Sequence, residues 1–172
     1  MASPRWHGLL FNALRFEAGW LLCVLGGSWV AAIIGSALLG WHFWHCAKPG
    51  EWRFIGVFAL LGLALDGGLH LAGGFDFGEH TLVAGLLPLW LWMLWPLFAT
   101  LVFHSLAWLW QYPMIAAVCG AVSGPLSYVG GAALTGVSLA PWLLPAQAII
   151  WAVLCVCISR YANHKVAASG VH

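Results

Sequence analysis

The chain has 172 residues, of which 63% are hydrophobic and only 6% charged. A water-facing domain carries about a quarter charged residues, so an aqueous globule is excluded and lipid is the implied solvent. Six Lys+Arg stand against five Asp+Glu; that balance gives no basic surface of the kind nucleic acid requires.

A bilayer core about 30 Å thick takes about 20 apolar residues in helical form, with every backbone polar group satisfied within the segment. Runs of that kind predict an all-α integral membrane protein, one bundle of six transmembrane helices forming a single domain over 1–172. The first span is placed at about 8–26 and ends at Gly26-Gly27-Ser28. Arg5 before an apolar run resembles a signal peptide, but Arg15 and Glu17 interrupt that run, so it is read as a retained helix.

The second span is placed at about 29–46, and the third at about 53–72, after the link Lys48-Pro49-Gly50-Glu51. The fourth, about 83–109, is long and holds Pro88 and Pro96, so a kink at Pro96 or an entry segment before Pro88 is expected. The fifth, about 113–134, opens on Pro113, a favourable first-turn position for proline. The sixth, about 142–159, stops at Arg160, Asn163, His164 and Lys165.

Charge placement tests the count. In a six-span arrangement Arg5, Arg15, Lys48, Arg53, Arg160 and Lys165 all fall on or toward one face, and Asp76, Glu79 and His80 on the other. The positive-inside rule makes the basic face cytoplasmic, with both termini on it. One span more or fewer would scatter these charges. Trp6, Trp29, Trp41, Trp44, Trp52, Trp108, Trp110 and Trp142 lie near span ends, where an indole suits the headgroup zone.

Ionisable side chains inside a span are costly and mark contacts or function. Asn12, Arg15, Glu17, Asp66, His70 and His104 are the set, with Ser105, Ser123 and Tyr128 as neutral companions. Arg15 is close enough to the cytoplasmic end to snorkel there. Glu17 is deeper and shorter, and needs a donor from another helix. Alternating helix direction places His104 at the depth of Asn12, so an Asn12/Glu17/His104 cluster is expected; interhelical glue of about 0.6–2 kcal/mol per contact would explain it as well as a reactive site would. Asp66 and His70 share a helical face, as do His42 and His45, the latter pair beside Trp41 and Trp44 and read as interfacial anchors. Two ligands do not define a metal site, and no metal or other cofactor is expected.

Gly120 and Gly124 form a GxxxG pair for close helix approach. Pro125 removes an amide donor and predicts a bend beside Tyr128. Cys23, Cys46, Cys119, Cys155 and Cys157 form no CxxC pair and read as small buried hydrophobes. No GxSxG elbow, HExxH helix, Walker loop or dinucleotide fingerprint is present.

The segments FNALRFEAGWLLCVLGG, LLGLALDGGLH, PLWLWMLWPLFATLVFHSLAWL and GAVSGPLSYVGGAALTGV together resemble a bacterial family of small polytopic membrane proteins, domain-of-unknown-function family 2878. The resemblance marks Asn12, Gly19, Trp20, Asp66, Trp92, His104, Ser105, Gly124, Pro125 and Tyr128. It implies glutamine where this chain has Glu17, which weakens an essential carboxylate role there. It implies no activity, but it points to the company of enzymes that modify membrane fatty acids.

Three functions follow. The first is a non-catalytic or lipid-binding inner-membrane component of an envelope or lipid-modifying system, with lipids, another membrane protein or a second copy as partners. The second is a membrane-embedded enzyme acting on a lipid or isoprenoid, with His104, Glu17 and Asp66 as catalytic candidates and Asn12, Trp20, Trp92, Ser105 and Tyr128 as binding candidates. The third is a small transporter, which would need a continuous polar path.

Overall fold

The computed structural model describes residues 6–78 and 86–168. Arg5, Glu79 and His80 lie outside them. The architecture is all-α. Its helices are α1 (Trp6–Val30), α2 (Ser36–His45), α3 (Glu51–Leu71), α4 (Leu89–Val102), α5 (Pro113–Thr135) and α6 (Leu143–Ala168). A π-helical turn, Ala31–Gly35, joins α1 to α2, and a 3-10 turn, Leu109–Gln111, precedes α5. The chain packs as two compact units, residues 1–105 and 106–172.

Four helical runs are long and apolar enough to cross a membrane: Trp6–His45, Glu51–Leu71, Pro113–Thr135 and Leu143–Lys165. Only 22% to 28% of their apolar windows is buried. The outward side chains include Ile33 at 68%, Leu60 at 69% and Ile149 at 67% exposure. Soluble monomers rarely expose apolar faces of that extent. In lipid such faces need no cover. This is a membrane protein.

The 40-residue run Trp6–His45 is not one straight rod. Gly27 has φ 68 and ψ −166, a conformation essentially confined to glycine. Arg15 and His42 would be about 40 Å apart along a straight helix, yet Arg15 Nη2 lies 3.3 Å from His42 Nδ1. Phe11 and Trp41 meet at 5.7 Å between ring centroids. The run therefore folds back at Gly27 into two antiparallel arms, 6–26 and 28–45. Each is close to the ~20 residues that cross a bilayer core. The reversal falls where Gly26-Gly27-Ser28 predicts it.

The fourth segment differs from its predicted extent of 83–109. Helix α4 starts only after Pro88, whose φ −59 and ψ 136 are extended, and ends at Val102. Its last turn is closed from outside. Lys48 Nζ donates to the Phe103 carbonyl at 2.6 Å, the cationic capping a helix C-terminus favours. His104 and Ser105 thus lie in the turn after α4 rather than on it. Prolines do not interrupt the helices: α4 continues through Pro96 and α5 through Pro125.

In the second unit α5 and α6 pack together at small residues. A side chain at Gly120 would strike Cys155 Sγ at 2.5 Å and the Trp151 carbonyl at 2.8 Å, and one at Gly124 would enter the Trp151 side chain. That is the close approach the GxxxG pair predicts. Ser159 Oγ and Asn163 Nδ2 both donate to the Trp110 carbonyl, at 2.9 and 3.2 Å, tying α6 to the 3-10 turn. The cysteines are all free: Cys23 and Cys155 are buried as expected, whereas Cys119 and Cys157 are exposed.

Candidate functional site

The polar centre of the first unit is assembled by a short link. Helix α2 ends at His45 with Cys46 as its C-cap, and the amides of Cys46 and Ala47 both reach the His42 carbonyl at 2.9 Å. Gly50, at φ 77, turns the chain into α3. Glu51, the first residue of α3, places its carboxylate back over the link. The Lys48 amide donates to Glu51 Oε2 at 2.8 Å, and an acid at this end also suits the helix dipole.

Two imidazoles close on that carboxylate. His42 Nε2 lies 3.0 Å from Glu51 Oε1, and His104 Nε2 lies 3.1 Å from both oxygens. The two rings meet edge to face at 5.0 Å. Exposure is 0% for His42, 1% for Glu51 and 16% for His104. A buried carboxylate needs its oxygens satisfied, and here three donors from three segments supply that. The half-open member is His104.

Proton positions follow from the network. Arg15 offers only donors, so His42 Nδ1 must accept from Arg15 Nη2. The hydrogen of a neutral His42 then sits on Nε2, aimed at Glu51. Arg15 is held there from its other side, with its guanidinium carbon 4.2 Å above the Trp41 ring. Donation thus runs from Arg15 through His42 to Glu51, and His104 donates to the same carboxylate from the other side.

Asn12 forms the adjoining contact. Its Oδ1 accepts from Ser105 Oγ at 2.8 Å and from the Ser105 amide at 3.3 Å, and its Nδ2 reaches the Thr100 carbonyl at 3.5 Å. The predicted meeting of Asn12 with the His104-Ser105 segment is therefore present. Glu17 is not part of it. It lies exposed on the side of α1 that carries Leu10, Leu14 and Leu21, all exposed.

The other candidates fall elsewhere. Asp66 is fully buried, and the Trp95 indole donates to its Oδ2 at 2.7 Å. Gly62, one turn earlier on α3, leaves the room this indole occupies. His70 reaches the Phe75 carbonyl at 3.3 Å. Asp66 stands about 22 Å along α3 from Glu51, with Ile55, Phe58 and Gly62 buried between them; a single site holding both carboxylates has no basis. The Trp92 indole donates to the Ala59 carbonyl at 2.7 Å. Trp20 is half-buried on α1, and Tyr128 belongs to α5 in the second unit.

Sequence reasoning missed Glu51, His42 and Lys48. His42 is not an interfacial anchor but the most enclosed imidazole of the centre. His45 is exposed and stacks on Trp41 at 4.8 Å. The signal available was depth, since the link 48–51 and His104 fall at the same end in an alternating-helix reading.

A polytopic membrane protein with a buried carboxylate–imidazole centre among the described residues of its first unit is the class these features define. The chain matches the family model described as "Protein of unknown function (DUF2878)" over residues 9–157, and it belongs to that family. No curated protein and no solved structure matches it.

Proposed function

We propose that this is a six-span membrane enzyme that performs proton-transfer chemistry on the headgroup region of a lipid-borne substrate, at the His42–Glu51–His104 centre. The observation that carries the reading is a half-open imidazole, His104, backed by a fully buried carboxylate. General acid–base catalysis needs such a group within hydrogen-bond reach of its partner. His104 is the group that meets substrate, Glu51 orients it, and Asn12 fixes the Ser105 segment beside it.

The position supports a lipid-borne substrate. Arg15, Lys48 and Arg53 belong to this end of the first unit, together with exposed Trp44 and Trp52. Basic and aromatic residues of that kind sit at the cytoplasmic headgroup level. Both arms of the Gly27 hairpin, α3 and the α4 segment would cross in the first unit, and α5 and α6 in the second. That gives six spans with both termini cytoplasmic, in the inner membrane of a bacterium. A polar path for a small transporter is not favoured, because apolar Ile55 and Phe58 separate the two buried carboxylates.

A second reading has its own support. Glu51 is saturated by donors, as a structural clamp would be, and this favours a non-catalytic lipid-binding component working with another membrane protein or a second copy. Purified protein incubated with total membrane lipid from the source cells separates the two. A product detected by mass spectrometry, absent with His104→Ala, supports the enzyme. Lipid retained without conversion by both proteins contradicts it in favour of the binding component.

A further inference from the structure

We infer that His42 Nε2, a Glu51 oxygen and His104 Nε2 form a binding site for a divalent transition metal of the zinc type, opposed from behind by Arg15. The inference rests on the reading of this centre as the reactive one and names its cofactor. Among the described residues, His42, Glu51 and His104 are the one group of three or more metal-ligating side chains with donor atoms all within 4.8 Å of one another.

The donor set and its spacing suit the ion. Two imidazoles and a carboxylate are the ligands of a catalytic zinc that keeps its fourth position for water. Ligand atoms around a tetrahedral ion at about 2.0–2.1 Å stand roughly 3.3 Å apart. The nitrogen–oxygen separations here are 3.0 and 3.1 Å, and all the donor atoms lie within 4.8 Å of one another, so side-chain adjustments alone would bring them around an ion. The Lys48 amide on Oε2 already orients the carboxylate, the supporting contact that tunes such sites. His104, half-open, leaves a side for water or substrate.

Arg15 makes the site unusual. An imidazole that ligates through Nε2 carries its hydrogen on Nδ1 and normally donates it to an acceptor. At His42 that position faces an Arg15 donor at 3.3 Å. With both imidazoles ligating through Nε2, each would carry its hydrogen on Nδ1, and at His42 that hydrogen would face Arg15 and break the Arg15 contact. Arg15 can withdraw along the Trp41 face, where Cys46 is its other near neighbour. The remaining cation at the centre, Lys48, has its ammonium engaged by the Phe103 carbonyl. Holding Arg15 on His42 favours the proton-bridged form; releasing it favours the metal form.

The test uses the full chain in lipid nanodiscs, purified with a tag free of histidine. Bound zinc is measured by elemental analysis, and affinity by Co²⁺ titration of visible ligand-field absorption. Wild type is expected to bind about one ion per chain. Glu51→Gln and His104→Ala should each weaken binding by at least about tenfold, and Arg15→Met should strengthen it by about tenfold. A tenfold gain of affinity at an unchanged one ion per chain is not what a misfolded chain gives, so Arg15→Met, checked for its stoichiometry, keeps the test decisive where the other variants fold poorly. Equal binding by wild type and His104→Ala, or no gain with Arg15→Met, overturns the metal site. Lipid conversion that persists in excess chelator overturns the metal while leaving the proposed enzyme standing. Metal binding without lipid conversion upholds the site and removes the enzyme.

Discussion

The first unit buries two carboxylates in different company. Glu51 is met by two imidazoles and an amide, one imidazole being half-open, whereas Asp66 is fully enclosed and is met by the Trp95 indole. An indole N–H only donates, and it keeps its proton. An imidazole exchanges its proton near neutral pH or ligates a metal. Burial alone therefore does not mark a functional acid; the chemistry of the donors does. The Glu51 centre has the parts of a reactive site, and the Trp95–Asp66 hydrogen bond ties α4 to α3.

The largest expected effect comes from removing the carboxylate at the first centre. Glu51→Ala leaves two imidazoles and the Lys48 amide without their acceptor, and should cost about 3 kcal/mol in unfolding measured in mixed micelles. Asp66→Ala should cost about 1–3 kcal/mol, while Asp66→Asn, which keeps an acceptor for the indole, should cost under about 1 kcal/mol. If Asp66→Asn were as damaging as Glu51→Ala, the contrast between the two centres would fail.

Gly27→Val probes what the first centre owes to the hairpin. Strain at a glycine-only conformation should cost about 1–3 kcal/mol. It should also separate Arg15 from His42, read as loss of a cysteine cross-link between positions 11 and 41. A modest effect is expected for Asn12→Ala, about 1 kcal/mol by the same unfolding measurement, with His104 still on Glu51.

Much of this fold was legible in the sequence, for reasons that particular residues make plain. Gly26-Gly27-Ser28 interrupts an apolar run too long for one crossing, and the chain turns there. Asn12 and the His104-Ser105 segment share a depth once helix directions alternate, and they touch. The Glu51 centre was not legible because its members sit on both sides of a link. Helical periodicity relates residues within one helix and says nothing across Lys48-Pro49-Gly50. Glu17 shares the depth of the Asn12 contact but not its face. Its place two residues beyond Arg15 turns it to the outer face with Leu10, Leu14 and Leu21. The length of α4 misled because hydropathy continues past Val102, whereas the helix ends where Lys48 takes the Phe103 carbonyl.

The proposal that Glu51 belongs to a working site is tested most directly by complementation. The source cells are deleted for the gene, and their membrane lipids are compared by mass spectrometry after return of wild type, Glu51→Gln or Asp66→Asn at equal membrane levels. Wild type and Asp66→Asn are expected to restore the lipid profile, and Glu51→Gln is not. Full restoration by Glu51→Gln would contradict the proposal.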